Sequence, residues 1–195
     1  HRPVTALADA VADALDIAVT FEVMISGGGD SQVWSARCAD GRQIVVKHHR
    51  TAPTGMFAAQ ASGLAWLEQA ADGPAVAQVL AARDAPPAFI VTERIAAGRW
   101  TVAAQERFGR QLAGLHLSGS ECFGLAHDNF IATLAQSNAP TPTWPQFLAQ
   151  RRIVPLTRAA VGLPARLRRD LDLLADRLPH LCGPAEPPAR LHGDL

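Results

Sequence analysis

Two periodicities of hydrophobic residues divide the chain into expected helices and strands. Apolar residues recurring every three or four positions predict a helix, and apolar residues at every second position predict a half-buried strand. In the first half these patterns predict a helix over 4–16, strands over 20–26 and 32–49, a helix over 53–71 and a strand pair over 76–95. Asp40-Gly41 is a strong hairpin signal, so the segment that contains it is expected to form two strands.

The second half is expected to be mainly helical. Helical stripes of apolar residues run through segments 102–118, 144–159 and 164–181. The stripe of the last segment consists of Leu167, Leu171, Leu174 and Leu178. Because residues 96–99 look like a linker, we predict an α+β fold with two lobes: a β-rich lobe with an N-terminal helix (1–95) and a helical lobe (96–195). Ligands preferentially bind in a cleft between such lobes.

Composition and charge narrow the functional classes. The 195 residues are 48% hydrophobic, which suffices for a buried core, and 18 basic side chains balance 18 acidic ones. This balance argues against a nucleic-acid or membrane partner, since both favour a basic surplus. Three distant cysteines outside any CxxC pair argue against a disulfide framework or a zinc site. With no signal-like or membrane-spanning apolar run in the sequence, we expect a cytoplasmic protein.

The segment SGGGDS (26–31) is a glycine-rich turn between two expected strands. Backbone N–H groups can approach an anion closely where no Cβ intervenes, and the hydroxyls of Ser26 and Ser31 can add donors. The segment matches neither the P-loop nor the dinucleotide-binding pattern. A flexible hairpin loop and a phosphate-covering loop both remain open.

Lys47 follows an apolar run of Ile44, Val45 and Val46. A lysine at this position either extends its ammonium into water or requires an anionic partner. The order of glycine loop, hairpin and lysine-bearing strand is the one in which phosphates lie under a loop and a lysine binds them. That order favours a phosphate-binding role for Lys47. The neighbouring pair His48-His49 is expected to pack or to face solvent rather than to bind a metal.

The chain ends with RLHGDL (190–195), which contains Asp194. An aspartate in a loop of the helical lobe can accept the proton of a substrate hydroxyl that attacks a phosphoryl group. His192 can shape such a loop through a hydrogen bond to the backbone. The tripeptide His-Gly-Asp is common by itself, but the glycine loop and Lys47 upstream favour a catalytic loop.

With these motifs the chain resembles the fructosamine kinase (ketosamine-3-kinase) family, which belongs with the aminoglycoside phosphotransferases and the protein-kinase-like folds. The resemblance runs from about Ser26 to Leu195. Its markers are SGGGDSQVWSA, IVVKHH, MFAAQASGLAWL, AFIVTERI, LAGLHL, FGLAHDNFIATLAQSN, WPQFLAQRRI and LHGDL. The part from FGLAHDN to FLAQRRI is the most specific, because generic small-molecule kinases lack it.

The resemblance implies phosphorylation of the sugar 3-hydroxyl of a ketosamine, with ATP and Mg²⁺. By position it implies that Lys47 pairs with the α- and β-phosphates and that Asp194 is the catalytic base. It assigns the phosphate-covering loop to Gly27, Gly28 and Gly29, with Ser31 beside it, and the adenine-binding hinge to Glu93, Arg94 and Ile95. The hinge is expected to hold adenine mainly through backbone groups.

Two features depart from the family pattern. The glutamate that usually pairs with the lysine is replaced by Gln60, which can hydrogen-bond to Lys47 but supplies no charge. The family's two metal ligands, an asparagine five positions after the aspartate and a later aspartate, would fall beyond Leu195. We therefore expect a C-terminally incomplete chain that does not transfer phosphate by itself. The alternatives are an aminoglycoside-type phosphotransferase and a pseudokinase or nucleotide-binding module.

Overall fold

The structure is a computed structural model that describes residues 2–28 and 30–192, and the chain divides into the units His1–Ala113 and Gly114–Leu195. The first unit contains α1 (Arg2–Leu15), β1 (Val19–Gly28), β2 (Ser31–Cys38), β3 (Gln43–His49), α2 (Met56–Glu68), β4 (Val79–Arg83), β5 (Phe89–Glu93) and most of α3 (Val102–Leu117). These elements confirm the helices and strands predicted for the first half of the chain. The predicted lobe boundary after residue 95 remains a prediction.

All five strands of the first unit form one antiparallel sheet in the order β1-β2-β3-β5-β4. Helix α1 packs against one face of this sheet through Leu7 and Val11, as its stripe predicted. Helix α2 packs against Ile90 on the other face through Phe57. A fully buried side chain of this size contributes about 1.5–3 kcal/mol, so the two helices hold the sheet from both sides.

The hairpin between β2 and β3 turns at Asp40-Gly41, as predicted. Gly41 has φ of +88°, a conformation that glycine adopts without strain, and its N–H donates to the Cys38 carbonyl over 2.9 Å. Asp40 Oδ2 accepts from Arg42 Nε over 2.6 Å, and Asp40 Oδ1 accepts from Arg42 N over 3.0 Å. These hydrogen bonds, the backbone one first, hold the pKa of Asp40 below its usual value.

The second unit combines helices with a short hairpin that the sequence patterns did not predict. Its elements are β6 (Asn129–Ile131), β7 (Leu134–Gln136), α4 (Trp144–Leu148), a π-helical turn (Ala149–Ile153), α5 (Val154–Ala159) and α6 (Ala165–Leu181). The helical predictions for 144–159 and 164–181 are confirmed. Strands of three residues are too short to show a periodicity, which explains the missed hairpin.

The buried face of α6 differs from the predicted stripe. Ala175 and Leu178 are buried, but Leu167 and Leu174 are 45% and 37% exposed. Residues at a spacing of three or four share a face, and the packing of α6 selects the face that includes Ala175 in place of the larger Leu174. The four leucines keep their predicted helical spacing within α6, but Leu167 and Leu174 are not among its buried residues. None of the helices in the described ranges combines the length and hydropathy of a membrane span.

We predict that Gly124→Ala destabilises the second unit. Gly124 has φ of +154°, and a Cβ there would lie 2.5 Å from the Asn138 carbonyl oxygen and 2.9 Å from Pro140 Cα. Both contacts are with backbone, so the chain must shift, at an expected cost of about 2–4 kcal/mol. Urea-induced unfolding measures this loss.

The matched control is Gly63→Ala inside α2, where an added Cβ meets nothing within 4 Å. Alanine favours a helix over glycine by about 1 kcal/mol, so this variant should be as stable as the wild type or more stable. Equal unfolding midpoints for Gly124→Ala and the wild type would contradict the close approach at residue 124.

Candidate functional site

Lys47 lies on the central strand β3, on the sheet face that α2 covers. Val33 on β2 and Ile90 on β5 are its direct cross-strand partners, and directly opposed residues share a face of the sheet. Ile90 belongs to the cluster around Phe57 of α2. Val46, which precedes Lys47 on β3, is fully buried in the core that α1 covers. Consecutive residues of β3 point to opposite faces, so the Lys47 side chain lies on the face away from the α1 core.

Gln60 of α2 is the hydrogen-bonding partner of Lys47. The distance from Lys47 Nζ to Gln60 Oε1 is 3.4 Å, so the bond is long and its acceptor is neutral. In the described part of the chain no carboxylate forms an ion pair with Lys47. An ammonium has three donors, so this geometry suits Lys47 to an anionic ligand.

Strands β1 and β2 form a hairpin whose turn contains the glycine segment, and we call it the glycine hairpin. Its two strands are paired almost to the turn. Gly27 lies opposite Gln32, and Gly28 lies opposite Ser31, while Gly29 falls outside the described residues. Ser31 is two positions from Val33 on β2, so its side chain is on the Lys47 face. The structure therefore places Gly27, Gly28 and Ser31 on the hairpin that adjoins the strand of Lys47.

Asp30 connects the tip of this hairpin to the end of β3. Arg50 N donates to the Asp30 carbonyl over 2.9 Å, and Thr51 Oγ1 donates to Asp30 Oδ2 over 3.1 Å. These bonds hold the glycine hairpin against the strand that carries Lys47.

The chain leaves the sheet at the end of β5, where Glu93 is followed by Arg94 and Ile95. The backbone N–H groups of these three residues differ in their hydrogen bonding. Glu93 N donates to the Gln78 carbonyl over 3.0 Å, and Arg94 N donates to the Gln43 carbonyl over 3.2 Å. Within the described residues the N–H of Ile95 makes no hydrogen bond, and its side chain is 60% exposed. Ile95 N–H is the donor that this segment can offer to a ligand.

Two residues of this face were missed as site candidates in the sequence. Val33 and Val45 are half-buried on the Lys47 face, and Val45 lies opposite Thr92 of β5. The register places their apolar side chains on the strip of this face between the glycine hairpin and the Glu93–Ile95 segment. The signal that could have found them is the period of two along β2 and β3.

Two further predictions bear on catalysis and metal binding. Asp194 lies outside the described residues, so its role as catalytic base remains a prediction.

The histidine pair lies at the end of β3. His48 Nδ1 is 2.7 Å from the Ala88 carbonyl oxygen, and the His49 side chain is buried. Among residues 2–28 and 30–192 no group of three or more His, Cys, Asp or Glu side chains is arranged to hold a metal.

In the second unit, Asn138 organises the stretch that contains the most specific motifs. Its side chain is 1% exposed, donates to the His127 carbonyl over 3.1 Å and accepts from Arg152 Nη2 over 2.5 Å. The Arg152 guanidinium also lies 4.7 Å from the ring centroid of Phe147. Burial lowers the pKa of Arg152, and the carboxylate of Asp128 opposes that shift. The motif residues thus depend on one another for their hydrogen bonds.

Comparison with known proteins supports the resemblance seen in the sequence. The model of the family "Fructosamine kinase" matches residues 4–195. A probable ketoamine kinase from Synechocystis is 30% identical over 178 residues, which are 88% of this chain and 58% of that protein. The chain therefore spans little more than half the length of this curated relative.

Two solved structures are similar to this chain. A candidate fructosamine-3-kinase from Thermobifida fusca is 36% identical, with a TM-score of 0.85 over 97% of this chain and 67% of that one. A second candidate fructosamine-3-kinase, from Haemophilus somnus, is 19% identical with a TM-score of 0.74 over 97% of this chain and 65% of that one, which shows the fold alone. The predicted protein-kinase-like α+β fold is confirmed. The chain belongs to the fructosamine kinase family.

Proposed function

We propose that this protein takes part in the ATP-dependent phosphorylation of the 3-hydroxyl of a ketosamine sugar. The observation that carries the proposal is the position of Lys47, on the sheet face opposite the α1 core and next to the glycine hairpin, with a neutral amide as its protein partner. An ammonium in this arrangement suits the phosphates of a nucleotide. Membership of a kinase family supports a phosphotransferase, and the cytoplasm as its location remains a prediction.

In this proposal ATP lies along the Lys47 face of the sheet. Lys47 pairs with the α- and β-phosphates, and the backbone of Gly27, Gly28 and Gly29 covers them, with Ser31 beside the loop. Adenine packs against Val33 and Val45 and accepts a hydrogen bond from Ile95 N–H. The N–H groups of Glu93 and Arg94 take no part, because the sheet already uses them.

The transfer step needs a base for the sugar hydroxyl. We assign it to Asp194: the carboxylate takes the hydroxyl proton as the sugar oxygen bonds to the γ-phosphorus, and the bond to the bridging oxygen breaks to release ADP. Mg²⁺ would neutralise charge on the phosphates, but its ligands are predicted beyond Leu195. Absence of transfer by these 195 residues alone also remains a prediction.

A nucleotide-binding module that performs no transfer is the second candidate. Gln60 favours it, because an amide does not supply the negative charge with which the usual glutamate orients the lysine. The two candidates share the nucleotide site and differ in turnover.

We predict that Lys47→Ala weakens ATP binding about 10- to 100-fold, since a hydrogen bond between charged groups contributes about 1.5–3 kcal/mol. Gln60→Glu should bind ATP with equal or higher affinity, because its carboxylate restores an ion pair with Lys47. Isothermal titration calorimetry measures both affinities.

Gln105→Glu on α3 is the matched control, because it adds the same charge on another helix of the first unit. Unchanged affinity in Lys47→Ala would remove Lys47 from the site, and a large loss in Gln60→Glu would show that residue 60 does not have the assigned position.

We predict that Ile95→Pro weakens ATP binding about tenfold, because proline lacks the N–H assigned to adenine and one such hydrogen bond is equivalent to about 1.4 kcal/mol. Ala97→Pro, two positions along the same irregular segment, should leave the affinity unchanged. Equal losses in the two variants would point to a general effect of proline and would contradict the assignment.

We predict that Asp194→Asn lowers phosphoryl transfer by about 10²–10⁴-fold and leaves ATP binding intact, since an amide cannot accept the proton. The assay uses a longer form of the protein that spans the full length of its relatives. Mass spectrometry measures the phosphorylated products formed from ketosamines and from aminoglycosides. Near-normal turnover in the variant would contradict the base assignment. Phosphorylation of aminoglycosides alone would favour an aminoglycoside phosphotransferase, and ATP binding without any product would favour the binding module.

A further inference from the structure

A chain of polar contacts crosses the first unit beside the Lys47 face and is not explained by the roles assigned so far. Arg94 Nη1 donates to Ser35 Oγ over 2.6 Å, and Ser35 Oγ donates to Glu22 Oε2 over 3.4 Å. Arg37 Nε donates to the other oxygen of Glu22 over 2.7 Å. We call Arg94, Ser35, Glu22 and Arg37 the four-residue network.

Ser35 is the centre of this network and is only 3% exposed. A hydroxyl can donate one hydrogen bond and accept another at the same time. Ser35 therefore accepts from the Arg94 guanidinium while it donates to the Glu22 carboxylate. A buried hydroxyl between two charged groups is costly to leave without its partners. The arrangement therefore specifies where both charged side chains lie.

The register of β1 places Glu22 in the network. Phe21 lies opposite Ala36 and Val23 lies opposite Ser35, so Glu22 is an extra residue on β1. Such a bulge redirects a side chain and is common beside functional sites. The bulge aims the Glu22 carboxylate at Ser35, five residues before Gly27 of the hairpin.

The network joins the two segments that the proposed function assigns to opposite ends of ATP. Arg94 follows β5 in the segment assigned to adenine, whereas Glu22 and Ser35 belong to the two strands of the glycine hairpin assigned to the phosphates. Ser35 lies opposite Val45, so the connection runs along the face on which the nucleotide is expected. All four residues lie within the first unit.

We propose that Arg94 is a positioning residue for the nucleotide: through Ser35 and Glu22 it fixes the glycine hairpin relative to the Glu93–Ile95 segment. The inference rests on the proposed function, since it concerns the same ATP site. Its side chain acts on the hairpin, so its loss affects the phosphate end of the nucleotide more than the base.

The experiment compares the affinities of ATP and adenosine in titration calorimetry at 25 °C, after thermal denaturation has shown that each variant is folded at that temperature. Arg94→Ala and Ser35→Ala are each expected to weaken ATP binding about five- to tenfold and adenosine binding less than threefold. The double variant should lose no more than either single one, because both remove the same connection. Arg94→Lys should regain part of the affinity, since an ammonium can also donate to Ser35.

Arg42→Ala is the matched control, because it removes an arginine of the same sheet that lies outside the four-residue network and pairs with Asp40 over 2.6 Å at the β2–β3 turn. It should leave both affinities unchanged.

A wild-type chain that binds neither ligand would overturn the proposed function and this inference with it. Binding by the wild type with unchanged ATP affinity in Arg94→Ala and Ser35→Ala would overturn this inference alone. Equal losses for ATP and adenosine would also overturn it, since they would indicate a contact with the base.

Discussion

The register of strand β3 is the constraint on which the rest of the structure depends. Ile44 and Val46 are fully buried in the core that α1 covers, and Lys47 is the next residue along the strand. A slip of one residue would exchange the two faces of β3 and would place the Lys47 ammonium in an apolar core. The free energy of burying two aliphatic side chains therefore also fixes the position of the charged one. The same register sets Val33 and Val45 beside Lys47 on the face assigned to the nucleotide.

The partner of Lys47 gives this site its particular character. A glutamate would hold the ammonium by charge in the absence of ligand, whereas Gln60 offers a single acceptor at 3.4 Å. The ammonium then depends more on the anion that binds to it, so nucleotide and lysine are expected to order each other. The four-residue network supplies rigidity from another direction, because it links the glycine hairpin to the segment after β5 through Ser35.

Local patterns in the sequence predicted those parts of the fold that local physics determines. The helix stripe of Leu7 and Val11 and the Asp40-Gly41 turn are examples, since each depends on spacing or on one backbone conformation. The face of α6 was not predictable in the same way, because several leucine spacings satisfy a helix and only its neighbours select one. The bond from Arg94 to Ser35 joins residues 59 positions apart, and no spacing rule reaches that far.

The candidate site divides along the same line. Lys47 and the glycine segment could be found from their order in the chain, whereas the use of the Glu93 and Arg94 N–H groups by the sheet required the structure. Hydrogen–deuterium exchange of the chain with and without ATP reports the protection of each backbone segment, so it shows whether ATP binds on the Lys47 face. ATP bound on this face is expected to slow exchange in residues 26–33, 44–47 and 93–95. Protection confined to residues 114–195, or none in those three segments at saturating ATP, would contradict this expectation.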